Sequence, residues 1–269
     1  MKASVCIEMI YTEFPFLERI RIAAEQGFDA VEFWTWHDKD MAAIKKTAAD
    51  CGIQVAAFHA NRGGTLIHPE HRERFAAGVR ESLAMAREMG VGQLLFLTDE
   101  LAEDGRARFR FPELPADAQR RSVLEGLKAV APLAEAAGVT LLLEPLNTYV
   151  DHPGYFLSSS AAGFELLRAV SSPRLKLLYD IYHMQIMEGN LIPALTRHLD
   201  LIGHIHVADT PGRHEPGTGE INYPVVFERL REAAYPGYIG LEFAPRIPSR
   251  EAARQALAMI RGARPGGLP

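Results

Sequence analysis

One punctuation mark recurs along this chain and limits what it can become: an Ala-rich helix end, a glycine, then a short apolar run. It reads Ala23-Ala24-Glu25-Gln26-Gly27 before 28–33, Ala48-Ala49-Asp50-Cys51-Gly52 before 53–58, and Ala86-Arg87-Glu88-Met89-Gly90 before 91–97. It returns as Ala134-Glu135-Ala136-Ala137-Gly138 before 139–144, and more loosely as Ala233-Ala234-Tyr235-Pro236-Gly237 before 238–243. Glycine ends a helix cheaply because it takes the left-handed conformation without a side-chain clash. Five such helix-to-strand turns are a repeat at the supersecondary level.

Extending the pattern predicts strands at 3–7, 28–33, 53–58, 92–97, 139–144, 174–180, 201–207 and 238–243. Helices fall at 14–26, 39–51, 70–89, 117–137, 161–170, 190–198, 223–234 and 249–262. Eight strand–helix pairs of ~34 residues each fit an α/β fold of one closed (β/α)8 barrel, a TIM barrel. A doubly wound open sheet is the runner-up, but it normally carries a glycine fingerprint after its first strand. Here that place reads Glu8-Met9-Ile10-Tyr11-Thr12, without glycine. The reading is one domain over 1–263 with a frayed tail at 264–269.

Long loops are expected after strands three (59–69), four (98–116), five (145–160) and seven (208–222), the face where barrel active sites lie. The loop after strand four carries Arg106, Arg108 and Arg110. It reads as a lid or as a solvated surface loop.

The functional signal lies in the last residues of the strands. Leu141-Leu142-Leu143 is what a strand buried on both faces looks like, and it ends in Glu144 followed by Pro145, which cannot continue a central strand. A buried carboxylate is costly without a partner. Strand six ends in Asp180, strand seven in His206 and strand eight in Glu242, while His59 ends strand three and Glu8 follows strand one. Any one such acid more often meets an arginine or backbone amides than a metal. Four ligands from consecutive strands, Glu144, Asp180, His206 and Glu242, instead suit one divalent ion: Mn²⁺ or Mg²⁺ first, with Co²⁺ or Zn²⁺ acceptable.

His204, two residues before His206 on the same side of the strand, reads as support hydrogen-bonded to a neighbouring carboxylate. Lys176 is expected to pack against an acid rather than form a Schiff base. His37, His68, His71, His152 and His198 read as surface or loop histidines, and His214 is undecided. His183, three residues after Asp180, sits where a tight turn can return its ring towards a substrate, and His59 is a further candidate contact. Arg213 can pair a substrate carboxylate or hydroxyl; the plainer reading pairs it with Glu215 or Glu220.

Composition excludes some alternatives. The 269 residues carry a net charge of −5 without a Lys/Arg run, which suits a small-molecule substrate better than nucleic acid. Two cysteines, Cys6 and Cys51, form neither a zinc pattern nor a disulfide framework. No signal-peptide pattern and no spanning apolar stretch occur, so a cytoplasmic protein with no membrane association is expected. A homodimer or homotetramer is expected from barrel enzymes in general.

The segments Leu143-Glu144-Pro145-Leu146-Asn147, Tyr179-Asp180-Ile181-Tyr182-His183-Met184-Gln185 and 213–223 (RHEPGTGEINY) resemble the hydroxypyruvate isomerase family of the xylose-isomerase-like barrels. The similarity runs from Thr12-Glu13-Phe14-Pro15-Phe16 to Gly240-Leu241-Glu242-Phe243. The resemblance implies an isomerase in which Glu144 and Glu242 are the acid/base pair, Asp180 and His206 complete a metal site, and His183 and Arg213 contact substrate. Some hydroxypyruvate isomerases carry Gln where this chain has His206, whereas the ketose epimerases carry His. Substrate choice therefore stays open between hydroxypyruvate, interconverted with tartronate semialdehyde through a cis-enediolate, and a longer sugar or sugar acid. Metal-dependent nucleic-acid cleavage and a non-catalytic barrel are the rivals from other classes.

Overall fold

A computed structural model describes residues 1–262. The expected tail at 264–269 lies outside the described residues. In chain order the elements are β1 (Lys2–Cys6), α1 (Phe16–Glu25), β2 (Ala30–Glu32), α2 (Met41–Cys51), β3 (Gln54–Ala57), α3 (Arg72–Met89), β4 (Gln93–Phe96) and α4 (Ala116–Ala137). Then come β5 (Thr140–Leu143), α5 (Ser160–Val170), β6 (Leu175–Asp180), α6 (Ile181–Met187), α7 (Leu191–Arg197), β7 (Ile202–Val207), α8 (Tyr223–Glu232), β8 (Tyr238–Leu241) and α9 (Ser249–Ile260). Short 3-10 turns precede α3 and β7.

The chain forms two compact units. The first comprises Met1–Phe58, Asn190–Leu199 and the chain from His204 on. Its strands pair in parallel in the order β3–β2–β1–β8–β7, with Ser4 beside both Ala30 and Gly240, and His206 beside Gly240. Val5, Ile7, Val31, Phe33, Leu241 and Phe243 are fully buried, and the Phe33 and Phe58 rings stack at 5.6 Å.

The second unit comprises His59–Gly189 and Asp200–Gly203. Its strands run parallel in the order β4–β5–β6, with Leu141 to Leu143 in register with Leu94 to Phe96. All three leucines of β5 are fully buried, as a strand covered on both faces requires.

The glycine turns have a common local cause. Gly52, Gly90 and Gly138 sit at the C-caps of α2, α3 and α4 with φ of 67°, 74° and 69°, and each N–H returns to the last helical turn. The looser fifth copy works differently: Ala234, at φ 52°, takes the left-handed position, three residues ahead of Gly237. A further difference lies after β6. In place of the expected tight turn, α6 forms because Asp180 caps it, accepting from Tyr182 N at 2.8 Å and His183 N at 3.2 Å. Lys176 donates to the backbone carbonyl of Asp200 rather than to the acid side chain expected of it. Among the described residues no helix is long and apolar enough to cross a membrane.

Candidate active site

Each unit brings part of the expected ring together. In the second unit Glu144 follows β5 directly, its N–H donating to Phe96 O at 3.2 Å, and its side chain is buried. Tyr155 fastens the turn after it, donating to Glu144 O at 2.9 Å while accepting from Thr98 N at 3.0 Å. Asp180 is wholly buried, and its carboxylate approaches that of Glu144 to within 4.8 Å. Two buried carboxylates that close repel as anions, so a cation or a proton belongs between them.

The α6 cap carries His183 back over Asp180. Its Nδ1 accepts from Asn147 Nδ2 at 2.7 Å, which places the ring proton on Nε2, 3.6 Å from Asp180 Oδ2. Asn147 also donates to Asp151 at 2.7 Å. His152 meets His183 edge to face, centroids 5.3 Å apart, and bonds Gly105 O at 2.8 Å. The loop after β4 thus folds onto this segment. Within it Arg108 pairs with Glu100 at 2.7 Å and Arg110 donates to Pro153 O at 3.2 Å. His68 and His71 pack against Phe109 and Phe111, and His59 bridges Leu95.

In the first unit His206 lies on β7 and Glu242 immediately after β8, with His206 Nδ1 3.4 Å from Glu242 Oε2. Arg213 donates to that same oxygen at 2.5 Å, and Trp34 Nε1 donates to Oε1 at 2.9 Å. Both oxygens of Glu242 are thus aimed. Burial opposes its charge, but His206 and Arg213 outweigh burial and hold the carboxyl well below the usual carboxylate range. Burial also opposes a charged His206, yet Glu32 and Glu242 prevail and raise the imidazole well above its ordinary value.

Arg213 stands in the expected loop after β7, whose internal hydrogen bonding the sequence did not foreshadow. Asp209, fully buried, gathers three backbone N–H groups: Thr210 at 3.0 Å, Gly217 at 2.8 Å and Ile221 at 3.1 Å. Paired backbone bonds between Asp209 and His214 close the turn, and Arg213 stands in it at φ 55°. Glu215 accepts from Arg246 N at 2.9 Å, and His214 bonds Ala244 O at 2.7 Å.

Sequence reasoning missed Glu32, Trp34, Asp99 and Asp209. Glu32 carries the same signal as Glu144, an acid closing a buried strand, and it is the carboxylate beside His204, at 3.1 Å. Glu8, a strand-end acid like the others, pairs with Lys39 at 2.5 Å. Asp99 is buried and rises to about 6 because burial outweighs its bonds from Thr98 and Phe156.

The family described as the xylose isomerase-like TIM barrel matches residues 20–263. A 2-oxo-tetronate isomerase of Cupriavidus necator is 37% identical over 249 residues, covering 89% of this chain and 91% of the relative. A hydroxypyruvate isomerase of Escherichia coli is 32% identical, covering 94% and 97%. Among solved structures, that of an AP endonuclease, family 2, from Brucella melitensis superposes with a TM-score of 0.84 at 28% identity, covering 94% of this chain and 96% of that one. The chain therefore belongs to the xylose isomerase-like TIM barrel family, folds as a single (β/α)8 barrel, and is an isomerase similar to the hydroxypyruvate isomerases.

Proposed function

We propose that the barrel, as one domain over 1–263, isomerises a short 3-hydroxy-2-oxo acid, with hydroxypyruvate and tartronate semialdehyde as the reference pair. The observation that carries the reading is the Glu242 carboxylate, buried, ionised and aimed by Trp34, Arg213 and His206. A barrel gathers the C-terminal ends of its strands at one mouth. On that basis Glu144, Asp180, His206 and Glu242 are assigned to a single divalent cation, Mn²⁺ or Mg²⁺ before Co²⁺ or Zn²⁺. The close Glu144–Asp180 carboxylates and the imidazole edge beside Glu242 fit such an ion. When bound, the cation supplies Lewis-acid polarisation of the carbonyl and hydroxyl oxygens.

The proton chemistry falls to the chain's own residues. The hydrogen on the hydroxyl-bearing carbon is a weak acid, and its removal by one glutamate leaves a cis-enediolate. The other glutamate, protonated at the outset, delivers its proton to the former carbonyl carbon while the hydroxyl proton passes to the former carbonyl oxygen. Proton exchange with solvent then resets the two glutamates, so atoms and charge balance over the cycle. Glu144 and Glu242 are assigned these roles. Arg213 is assigned to the substrate carboxylate, and His183 and His59 to its oxygens. The Cupriavidus and Escherichia relatives carry names that specify isomerisation of such acids, which supports the substrate class. The net charge of −5 favours a small substrate over a phosphate backbone, against the endonuclease activity for which the Brucella protein is named.

The second reading, epimerisation or isomerisation of a longer sugar, uses the same two glutamates. A panel of hydroxypyruvate, 2-oxo-tetronate and free ketoses, run in deuterated water, separates them. Turnover of the acids with solvent deuterium entering carbon supports the proposal. Turnover of free ketoses alone, or turnover without label, overturns it.

A further inference from the structure

Below the Glu242 carboxylate lies a buried acid that the proposed proton transfers leave unused. Glu32 ends β2 with its side chain 2% exposed. Its Oε1 accepts from Ser4 Oγ at 3.0 Å. Its Oε2 lies 3.2 Å from His206 Nε2 and 3.1 Å from His204 Nε2. The two rings cross at 86° with centroids 4.9 Å apart, so their Nε2 edges meet at one oxygen.

A single glycine makes the space. A Cβ at Gly240 would overlap Glu32 Oε1 and sit 2.7 Å from His206 Cδ2 and 2.8 Å from His204 Nε2. Gly240 is the residue of β8 that stands beside both Ser4 and His206 in the sheet. Its φ is not in the left-handed region, so backbone conformation does not call for glycine there. The three buried side chains do.

A carboxylate accepting from Nε2 fixes a histidine ring in two ways: it holds the proton on that nitrogen and it stops the ring from turning. For His206 the nitrogen left over is Nδ1, the atom facing Glu242 Oε2 at 3.4 Å. Ser4 holds Glu32 in turn by donating to Oε1, and the His204 ring stands against Oε2, so the carboxylate is fixed in place.

We infer that Glu32 is a positioning residue that presents His206 Nδ1 to a divalent cation, and that Gly240 is required as the floor on which Glu32, His204 and His206 meet. This rests on the proposed assignment of His206 as a ligand. Calorimetric titration of Mn²⁺ into the metal-free full-length protein tests it without reference to turnover. Glu32→Gln keeps the side-chain volume but removes the charge. It should weaken Mn²⁺ binding about 10- to 100-fold, the range for losing an outer partner of a metal-bound histidine, while the circular dichroism of the metal-free protein stays that of the wild type.

His206→Ala separates the two failures. If it binds Mn²⁺ as the wild type does, His206 is no ligand and the inference falls with that assignment. If His206→Ala loses Mn²⁺ while Glu32→Gln binds normally, the assignment stands and the inference about Glu32 is overturned. Should Glu32→Gln not fold, Gly240→Ala decides. Displacing the Glu32 carboxylate must weaken Mn²⁺ in the same range, and full affinity in that variant refutes the inference.

Discussion

Arg213 donates to Glu242 Oε2 across 2.5 Å, joining a loop residue held at φ 55° to the acid that follows β8. The contact is strong because the guanidinium is always charged and the carboxylate is buried. It also keeps the arginine at the place where the proposed substrate carboxylate would bind. Arg213→Ala should lower kcat/KM by about 10²-fold, since truncating one partner of a desolvated charge pair costs about 2–5 kcal/mol. Steady-state kinetics on hydroxypyruvate check this, and a loss below about tenfold would remove Arg213 from the site.

Replacing either proposed proton carrier separates chemistry from folding. Glu144→Gln and Glu242→Gln should each cut kcat by about 10²–10⁴-fold, the usual contribution of a positioned acid or base. Circular dichroism should remain that of the wild type. Normal turnover in either variant refutes its assignment.

Metal removal gives an independent check. Dialysis against a chelator should suppress activity, with Mn²⁺, Mg²⁺ or Co²⁺ restoring it best. Chelator-indifferent turnover, together with no metal by elemental analysis, would leave the carboxylates acting alone.

Asp99 predicts a pH dependence of stability. Its folded value of about 6 lies above the ordinary 3.8, so the native state holds the proton more tightly than the unfolded chain. The contribution of Asp99 to stability is therefore greatest below pH 3.8, falls as pH rises towards 6, and levels above that. Relative to Asp99→Asn, the wild type should lose about 3 kcal/mol between about pH 3.5 and pH 7. Urea unfolding of both proteins across that range measures the difference; a constant offset contradicts the burial argument.

Gly219 tests how the loop after β7 holds Arg213. A Cβ there would overlap Thr210 O and lie 2.6 Å from Asp209 Oδ1, and the first of these is backbone that cannot rotate away. Gly219→Ala should destabilise the protein by about 1–3 kcal/mol, as overpacking does. It should also reduce kcat/KM in the same direction as Arg213→Ala. Wild-type kinetics with wild-type stability would show that the turn has another way to relax.

What the sequence determined by itself is periodic and local. Ala-rich helix ends followed by Gly52, Gly90 and Gly138 set the alternation of helix and strand, because a left-handed residue and a run of apolar residues are readable within a few positions. The acids closing buried strands, Glu144, Asp180 and Glu242, are visible for the same reason. The helix after β6 is not, because a seven-residue helix depends on the Asp180 cap more than on its own propensity. Only the tertiary structure decided which groups meet. It set Glu32 against His204 and His206, Trp34 and Arg213 on opposite oxygens of Glu242, and Gly240 under all three buried side chains. Those residues lie up to 208 positions apart, as Trp34 and Glu242 do. Chain spacing carries no information over that distance, whereas strand register and the burial of charge do.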